Sequence, residues 1–260
     1  MKVVTKLIVV SIFFVFPCCK NDESNGVSVK GPDIERVTLV FDSLKENLTE
    51  DFSDTIVGEL ETKLLAAGLV NIQDLNENIW VDLKYSTKDN FLGKDLYGEL
   101  NKAYLQVDLA KRLSIAQDSL SSIDSNLHLL VYDAVRPRSV QQMMWEAMDT
   151  IPINDRVKFV SNPRNGSVHN YACAVDLTIC NSEGVAFDMG AGYDDMRKIA
   201  YPKHEAKFLA SGELTDVQVE NRLLLRKIMR YGGYSVLSTE WWHFNGLSRD
   251  AAKATYNIIE

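Results

Sequence analysis

The stretch SVHNYACAVDLTI (167–179) decides the fold, because it places two potential ligand side chains within one apolar segment. His169 opens the segment, and Asp176 is the one charged residue between Tyr171 and Ile179. The β-branched and apolar residues around Asp176 predict a buried strand. An acid buried in such a strand costs free energy unless a metal ion or a basic partner meets it. The stretch therefore predicts a strand that carries part of a functional site.

His169 and Asp176 are seven residues apart, so a straight strand would point their side chains to opposite faces. We therefore expect the chain to bend near residues 171–172. In EWWHF (240–244), Glu240 and His243 are three residues apart, and we expect them on one side of a helical turn. Two histidines and one carboxylate form a standard ligand set for catalytic zinc, with the fourth position left to water that a second carboxylate can deprotonate.

Hydrophobic periodicity on both sides of this stretch predicts interspersed helices and strands. The predicted helices are 54–67, 102–120, 139–148 and 216–231, and the predicted strands are 78–87, 127–135, 169–179 and 234–237. The apolar residues that define the last of these helices are Val217, Val219, Leu223, Leu224 and Ile228. Because the elements do not follow regular βαβ repeats, we expect an α+β fold with a small antiparallel sheet flanked by helices.

The net charge of −8 argues against nucleic acid as a partner, because phosphate binding needs a clustered excess of Lys and Arg. A chain of 260 residues is long enough for a domain with its own core. We expect a single domain over residues 54–260 that carries the candidate zinc site, after a tether and weakly structured lead-in over 20–53.

Residues 1–19 have the features of an export signal. Two lysines precede an apolar run of ten residues, 7–16, which is too short to cross a bilayer but suits a signal peptide. Cys18 and Cys19 end the run, and a polar stretch follows. This resembles a bacterial lipoprotein signal with lipid on Cys19. Modification at Cys18, or a plain secretory signal without lipid, remains open.

Two further cysteines, Cys173 and Cys180, lie in the predicted strand. Export permits disulfides, but an odd separation of seven residues points these side chains to opposite faces. We therefore expect two buried free thiols.

Four stretches match one known family in its own order. They are VDLKYSTKDNFLGKDLYG (81–98), YDAVRPRSVQQMMW (132–145), SVHNYACAVDLTI (167–179) and EWWHF (240–244). Through them the chain resembles the D-alanyl-D-alanine dipeptidases associated with vancomycin resistance, over roughly residues 70–247. These belong to a wider zinc peptidase superfamily that includes D-Ala-D-Ala carboxypeptidases and the hedgehog signalling domain. The resemblance implies that superfamily's fold.

The resemblance also implies roles for individual residues. One zinc ion per chain would be held by the side chains of His169, Asp176 and His243. Glu240 would be the catalytic base, and Arg136 would stabilise the oxyanion, as a guanidinium is suited to do. For Arg136, an ion pair with Asp133 at a strand end is the structural alternative.

Two more residues are implied at the substrate's amino group. Ser167 matches a serine near that group, although it could be only a turn residue. Asp194 matches an aspartate that pairs with the amine, and nearby Asp188 and Asp195 leave the register open. The chain departs from the motif at Ala172, where the family has glycine. If this position needs a positive φ, alanine costs on the order of 1 kcal/mol there.

Together these features predict an exported, lipid-anchored zinc dipeptidase of the periplasm or cell envelope. Its expected substrate is D-Ala-D-Ala or a similar short peptide with D-amino acids, released in peptidoglycan turnover or remodelling. Two alternatives stay open. One is a D,D- or L,D-carboxypeptidase or endopeptidase acting on larger cell-wall peptides, and the other is a non-catalytic binding lipoprotein of the same fold.

Overall fold

A five-stranded sheet lies at the centre of the fold, in a computed structural model that describes residues 58–157 and 159–260. The predicted signal peptide 1–19 with Cys19, the tether 20–53 and the first residues of the predicted domain lie outside the described residues. The strands are β1 (Val70–Asn71), β2 (Trp80–Val81), β3 (Tyr104–Leu105), β4 (Leu127–Asp133), β5 (Ala174–Asn181), β6 (Ser235–Leu237) and β7 (Glu240–Asn245).

Helices surround this sheet, which gives the predicted α+β architecture. They are α1 (Glu59–Ala66), α2 (Val107–Ser121), α3 (Arg138–Ala147), α4 (Ile153–Arg156), α5 (Glu205–Ala210), α6 (Asp216–Tyr231) and α7 (Arg249–Thr255). In the part of the chain that the structure describes, no helix combines the length and the apolar character needed to cross a bilayer.

The sheet has the order β2-β4-β5-β7-β6, and β1 pairs with β3 in a separate two-stranded ribbon. All neighbours in the main sheet are antiparallel except the edge strand β2, which runs parallel to β4. The sheet is therefore mixed rather than wholly antiparallel as the sequence predicted. Its two central strands, β4 and β5, are almost entirely buried, as their apolar sequences predict.

The register of the central strands places three polar residues side by side. Asp133 on β4 lies opposite Asp176 on β5, and Asp176 lies opposite His243 on β7. Residues directly opposite each other on neighbouring strands have Cβ atoms about 4.5–5.5 Å apart, which is within reach of one another's side chains. Backbone pairing alone thus brings residues from three distant segments together.

Several predicted elements are shorter than the sequence pattern suggested, and two of them change how the chain runs. The predicted strand 78–87 pairs with the sheet only at β2, and a 3-10 turn follows at Lys84–Ser86. The carbonyl of Tyr85 instead accepts hydrogen bonds from the backbone amides of Leu96 and Tyr97, which takes this segment off the sheet edge. The predicted helix 102–120 begins only at Val107, because β3 uses the residues before it.

The predicted helix 216–231 is confirmed as α6, but its expected apolar face is partly wrong. Val217 and Leu223 are 62% and 52% exposed. The buried face instead includes Arg222 and Arg226, together with Leu225 and two further apolar residues. Hydrophobicity alone misplaces this face, because buried arginines count as polar in any sequence pattern.

The bend expected between His169 and Asp176 is confirmed. A 3-10 turn covers His169–Tyr171, and Ala172 follows in the left-handed conformation with φ 54° and ψ 37°. Its amide donates to the carbonyl of His169 at 2.9 Å, and β5 begins two residues later. The position therefore does require a positive φ, as the motif's glycine suggested, and the chain accommodates it with alanine.

The segment EWWHF is a strand, not the predicted helical turn. Leu237 pairs with Glu240, but Val236, the next residue back, pairs with Phe244. Residues 241–243 are therefore extra residues on β7, in a wide bulge beside β6. The bulge removes the strict alternation of strand faces, so Glu240 and His243 can both face one cavity although an odd number of residues separates them.

The two remaining cysteines are free and buried, as predicted. Cys173 packs in the main hydrophobic core, whereas Cys180 packs with Leu130 and Tyr132 in a separate cluster.

Replacing Ala172 with glycine tests the strain at the bend. Glycine relieves a left-handed backbone cost of roughly 1–2 kcal/mol but also removes a buried methyl group. Ala174→Gly is the matched control, since Ala174 is equally buried but lies in regular strand. We expect Ala172→Gly to lower the free energy of unfolding by about 1 kcal/mol less than Ala174→Gly, as measured by urea denaturation. Equal losses would contradict the strain.

Candidate active site

Three side chains converge on one point at the end of the central strands. The Nε2 atom of His169 lies 3.0 Å from Nδ1 of His243, and Nδ1 of His243 lies 2.9 Å from Oδ1 of Asp176. The third side of this triangle, from His169 Nε2 to Asp176 Oδ1, is 3.3 Å. All three residues are at most 9% exposed. The structure therefore brings together the three ligands that the sequence predicted.

Each imidazole is oriented by a second partner. The Nδ1 atom of His169 donates to the carbonyl oxygen of Ala134 at 2.6 Å, which leaves the Nε2 lone pair facing the triangle. The Nε2 atom of His243 lies 3.0 Å from Oδ1 of Asn245, so it can donate there and leave the Nδ1 lone pair available to a metal ion. Such partners on the far nitrogen fix the tautomer that a metal ligand needs.

The carboxylate of Asp176 is fixed in the same way. Its Oδ2 atom accepts a hydrogen bond from the hydroxyl of Tyr193 at 3.1 Å and lies 3.5 Å from Nη2 of Arg136. Burial would raise the pKa of Asp176, but the two imidazoles hold it well below its usual range. The carboxyl group is therefore ionised and directs Oδ1 at His169 and His243.

This donor set fits a divalent metal ion. Zinc binds histidine nitrogen and carboxylate oxygen at about 2.0–2.2 Å, so ligand atoms on a tetrahedral ion lie about 3.3 Å apart. The three donor atoms of His169, Asp176 and His243 lie 2.9–3.3 Å apart, close to that separation. Two nitrogens and one oxygen are also the donors that zinc takes in catalytic sites, with one position left open.

A cavity of about 610 Å³ opens onto this triangle. Its lining includes every residue that the sequence analysis assigned to chemistry or substrate binding, namely Arg136, Ser167, His169, Asp176, Asp194, Glu240 and His243. Trp242 forms part of its wall, whereas Trp241 faces away and donates its indole N–H to the carbonyl of Ala191. The candidate metal donors and the candidate substrate-binding residues therefore line the same cavity.

Glu240 lines the cavity but is not one of the three side chains that form the triangle, His169, Asp176 and His243. Burial raises its pKa, and the nearby carboxylate of Asp176 raises it further, against the opposing effects of His243, His169 and Arg136. A carboxylate with a raised pKa is a better proton acceptor than a solvent-exposed one. The arrangement suits a general base that acts beside a metal ion without binding it.

Arg136 forms the ion pair with Asp133 that the sequence analysis considered, and it also faces the cavity. Its Nε and Nη2 atoms donate to Oδ2 of Asp133 at 2.9 and 2.6 Å. The guanidinium carbon lies 5.2 Å from the ring centre of Tyr85. The ion pair with Asp133 and the contact with the Tyr85 ring hold the guanidinium group beside Asp176. The ion pair therefore positions the arginine and does not remove it from the site.

Asp194 is a half-buried acid on the cavity wall, and no described residue forms an ion pair with it. It has a left-handed backbone with φ 58°, and its Oδ2 atom accepts a hydrogen bond from the neutral hydroxyl of Tyr85 at 2.9 Å. Burial, followed by the charge of Asp176, raises the pKa of Asp194 to about 8. A protonated amine beside it would supply the missing charge and favour the ionised form.

The two neighbouring acids, which the sequence left as alternatives, have different surroundings. Asp195 pairs with Arg197 through several hydrogen bonds, the shortest 2.6 Å. Asp188 accepts from Gln218 at 2.8 Å and lies outside the cavity. Of the three, Asp194 is the acid that lines the cavity and forms no ion pair with a described residue.

Ser167 lines the cavity with its hydroxyl already engaged. Its Oγ atom donates to Oε1 of Gln141 on α3 at 2.7 Å, and its amide donates to Oδ1 of Asn170 at 2.6 Å. The hydroxyl oxygen can still accept a hydrogen bond from a substrate N–H. The structure thus places Ser167 beside the cavity in an oriented state.

Sequence reasoning missed the partners that orient these residues. Asn245 follows His243 by two positions, so the period of a strand could have placed both on one face. Tyr193 is adjacent to Asp194 in the sequence, but no local pattern indicates that it reaches Asp176. Tyr85 and Gln141 contact residues 109 and 26 positions away, and no sequence spacing predicts such contacts.

Comparisons with known proteins agree with this geometry. The sequence model of a family described as D-ala-D-ala dipeptidase matches residues 65–259. Among similar proteins, the D-alanyl-D-alanine dipeptidase of Escherichia coli (strain K12) is 35% identical over 180 residues, which cover 68% of this chain and 83% of the relative. Those of Enterococcus faecium and Streptomyces coelicolor are 29% and 30% identical over 191 and 190 residues, covering 68% and 66% of this chain and 90% and 88% of the relatives.

The triangle predicts specific stabilisation by zinc. At a free zinc concentration 100-fold above the dissociation constant, one site should stabilise the folded state by about 2.7 kcal/mol. We expect this as a rise in melting temperature when zinc is added to chelator-treated protein. His243→Ala should abolish the rise, whereas His204→Ala, which removes a histidine outside the triangle, should leave it intact. A zinc effect that survives in His243→Ala would place the metal elsewhere.

Proposed function

The chain belongs to the D-ala-D-ala dipeptidase family of peptidases, and from that premise we propose that it is a zinc-dependent dipeptidase acting on D-Ala-D-Ala or a closely related dipeptide. The family resemblance inferred from four motifs is thereby confirmed. The observation that carries the proposal is one cavity that contains three candidate metal donors, a separate half-buried base and an acid that forms no ion pair with a described residue. A metallopeptidase that recognises the free amino group of its substrate needs a metal site, a general base and an acid to pair with that amino group.

His169, Asp176 and His243 would hold the zinc ion. When bound, zinc supplies Lewis-acid polarisation of the scissile carbonyl and makes a water molecule more acidic. The protein's contribution is to hold the three donors in position before binding, through Ala134 and Asn245 on the imidazoles. Because these partners are already in place, little reorganisation is needed on binding.

Glu240 would move the proton in this reaction. It accepts a proton from the attacking water and delivers it to the nitrogen of the leaving amino acid. Its raised pKa suits both steps, since a weaker acid takes the first proton more readily and can still release it to an amine. Arg136, fixed by Asp133, would donate to the carbonyl oxygen as negative charge develops there.

Asp194 and Ser167 would select the substrate by its free amino terminus. The carboxylate charge of Asp194 meets the neutral hydroxyl of Tyr85, which donates a hydrogen bond to it, and the positive charge of Arg136 stabilises it only in part. Burial also raises the pKa of Tyr85 well above its usual range, so the phenol stays protonated and cannot itself compensate that charge. A substrate ammonium group would pair with Asp194, and the hydroxyl oxygen of Ser167 would accept one of its hydrogens.

The Glu240→Gln variant tests the catalytic assignment. It removes the proton acceptor while keeping the shape and the three metal donors. We expect kcat/KM for D-Ala-D-Ala to fall at least about 100-fold, as measured by release of free D-alanine, with the zinc-induced rise in melting temperature unchanged. Glu183→Gln, at an exposed position, serves as control.

Two outcomes would favour the alternative functions. Cleavage of a pentapeptide ending in D-Ala-D-Ala but not of the free dipeptide would indicate a carboxypeptidase of the same chemistry. Folded, zinc-binding protein that hydrolyses neither substrate would indicate a binding protein of this fold.

For location, we propose export to the cell envelope and anchoring through lipid on Cys19, which supports a role in peptidoglycan turnover. The support is the sequence pattern alone: a ten-residue apolar run that ends at two cysteines and a polar stretch. We expect Cys19→Ala to move the protein from the membrane fraction to the soluble fraction and to remove the lipid mass from its N-terminus. Cys18→Ala is the matched control. Lipid retained in Cys19→Ala but lost in Cys18→Ala would reassign the modified residue.

A further inference from the structure

One buried arginine holds both ends of the loop that carries Asp194. This loop, residues 189–199, connects the region after β5 to the turn before α5 and places Asp194 and Met196 in the cavity wall. Arg222 on α6 donates from Nε to the carbonyl oxygen of Met189 at 2.7 Å. It donates from Nη1 to the carbonyl oxygen of Ile199 at 3.0 Å. A single planar guanidinium therefore fixes the separation of the two loop ends.

The other contacts of the loop reach only one end or its middle. Asn221 and Gln218, also on α6, bind Asp188 just before the loop, at 2.9 and 2.8 Å. The indole N–H of Trp241 reaches the carbonyl of Ala191. Among the described residues, Arg222 is the side chain that hydrogen-bonds both Met189 and Ile199.

A second arginine one turn further along α6 provides an internal comparison. Arg226 forms two hydrogen bonds of 2.7 Å with the two carboxylate oxygens of Glu205. Arg222 lies 3.4 Å from the same carboxylate, but its shorter bonds go to the loop. Both arginines are at most 8% exposed. The two arginines lie on the same helix, are both buried and both contact Glu205. They differ in that Arg222 hydrogen-bonds the 189–199 loop and Arg226 does not.

The cluster is not arranged for stability alone. Two guanidinium groups share the single carboxylate of Glu205, and the Nη2 atom of Arg222 has no hydrogen-bond partner although it is buried. Burying two cations beside one carboxylate, with one donor left unsatisfied, costs free energy. An aliphatic side chain would avoid that cost but could not join two backbone carbonyls.

We propose that Arg222 is a positioning residue for substrate binding, which sets the location of the Asp194 carboxylate by fixing the two ends of the 189–199 loop. This inference rests on the proposed function in so far as Asp194 receives the substrate's amino group. It adds a residue outside the cavity to the determinants of substrate affinity.

The first experiment needs no catalytic activity. Arg222→Lys keeps a positive charge beside Glu205 but cannot reach both carbonyls, whereas Arg226→Lys changes the same cluster without touching the loop. We expect faster hydrogen exchange at the backbone amides of residues 190–198 in Arg222→Lys than in Arg226→Lys, at matched distance below each melting temperature. Equal exchange in the two variants would overturn the positioning role, whatever the enzyme's substrate.

The second experiment links the loop to the amine. Misplacing a group that binds substrate and transition state equally raises KM and leaves kcat nearly unchanged. We expect Arg222→Lys to raise KM for D-Ala-D-Ala about tenfold, the equivalent of one weakened charged contact, and Arg226→Lys to change it less than about twofold. Zinc-induced stabilisation should be the same in both variants.

A double-mutant cycle separates positioning from general damage. In an Asp194→Asn background the amine contact is already lost, so adding Arg222→Lys should raise KM no further. A full tenfold effect in that background would show that Arg222 acts by another route. Should Arg222→Lys fail to fold, Arg222→Gln, which can still bind one carbonyl, provides the same comparison.

Absence of dipeptide hydrolysis in the unmodified protein would count against the proposed function alone. The exchange experiment would still decide whether Arg222 fixes the loop.

Discussion

The pairing of β5 with β7, which sets Asp176 opposite His243, is the constraint on which the site depends. Backbone hydrogen bonds between the strands fix the spacing of the Cα atoms of Asp176 and His243. The pairing of the strands therefore largely sets the distance between the carboxylate and the imidazole. A slip of one residue would turn either side chain to the other face. The third donor, His169, comes from outside the sheet, and the left-handed residue Ala172 turns the chain so that its ring meets the other two.

The ligands could be predicted from the sequence because their chemistry conflicts with their surroundings. An aspartate in an apolar strand, and a histidine beside two tryptophans, need a partner that the neighbouring residues do not supply. Chain order and spacing then matched a family, and the match covers most of the described chain. The helix α6 was also predicted to its ends, and two glycines follow its last residue.

The remaining features could not be predicted, because they depend on contacts between distant elements. The separation of Glu240 and His243 suggested a helical turn, since a strand bulge leaves no mark in the spacing of a single segment. The buried face of α6 was misassigned, because Arg222 and Arg226 are buried through Glu205, which lies in another helix. For the same reason Tyr85 was assigned to a strand face, whereas its hydroxyl contacts the acid that faces the cavity. Sequence patterns report which residues are costly to bury, but not which partners offset that cost.

The bulge at residues 241–243 makes the length of this segment as important as its composition. In a regular hairpin, a single inserted or deleted residue can be accommodated in the turn, because the loop changes length while the strands keep their register. Here β7 pairs with β6 at Glu240 and again at Phe244, and the residues between these two positions bulge out of that pairing. One of them, His243, pairs with Asp176 on β5. A change of one residue would force either the pairing with β6 or the pairing with β5 to break. The fold therefore tolerates a change of side chain at the two tryptophans more readily than a change in the number of residues between Glu240 and His243.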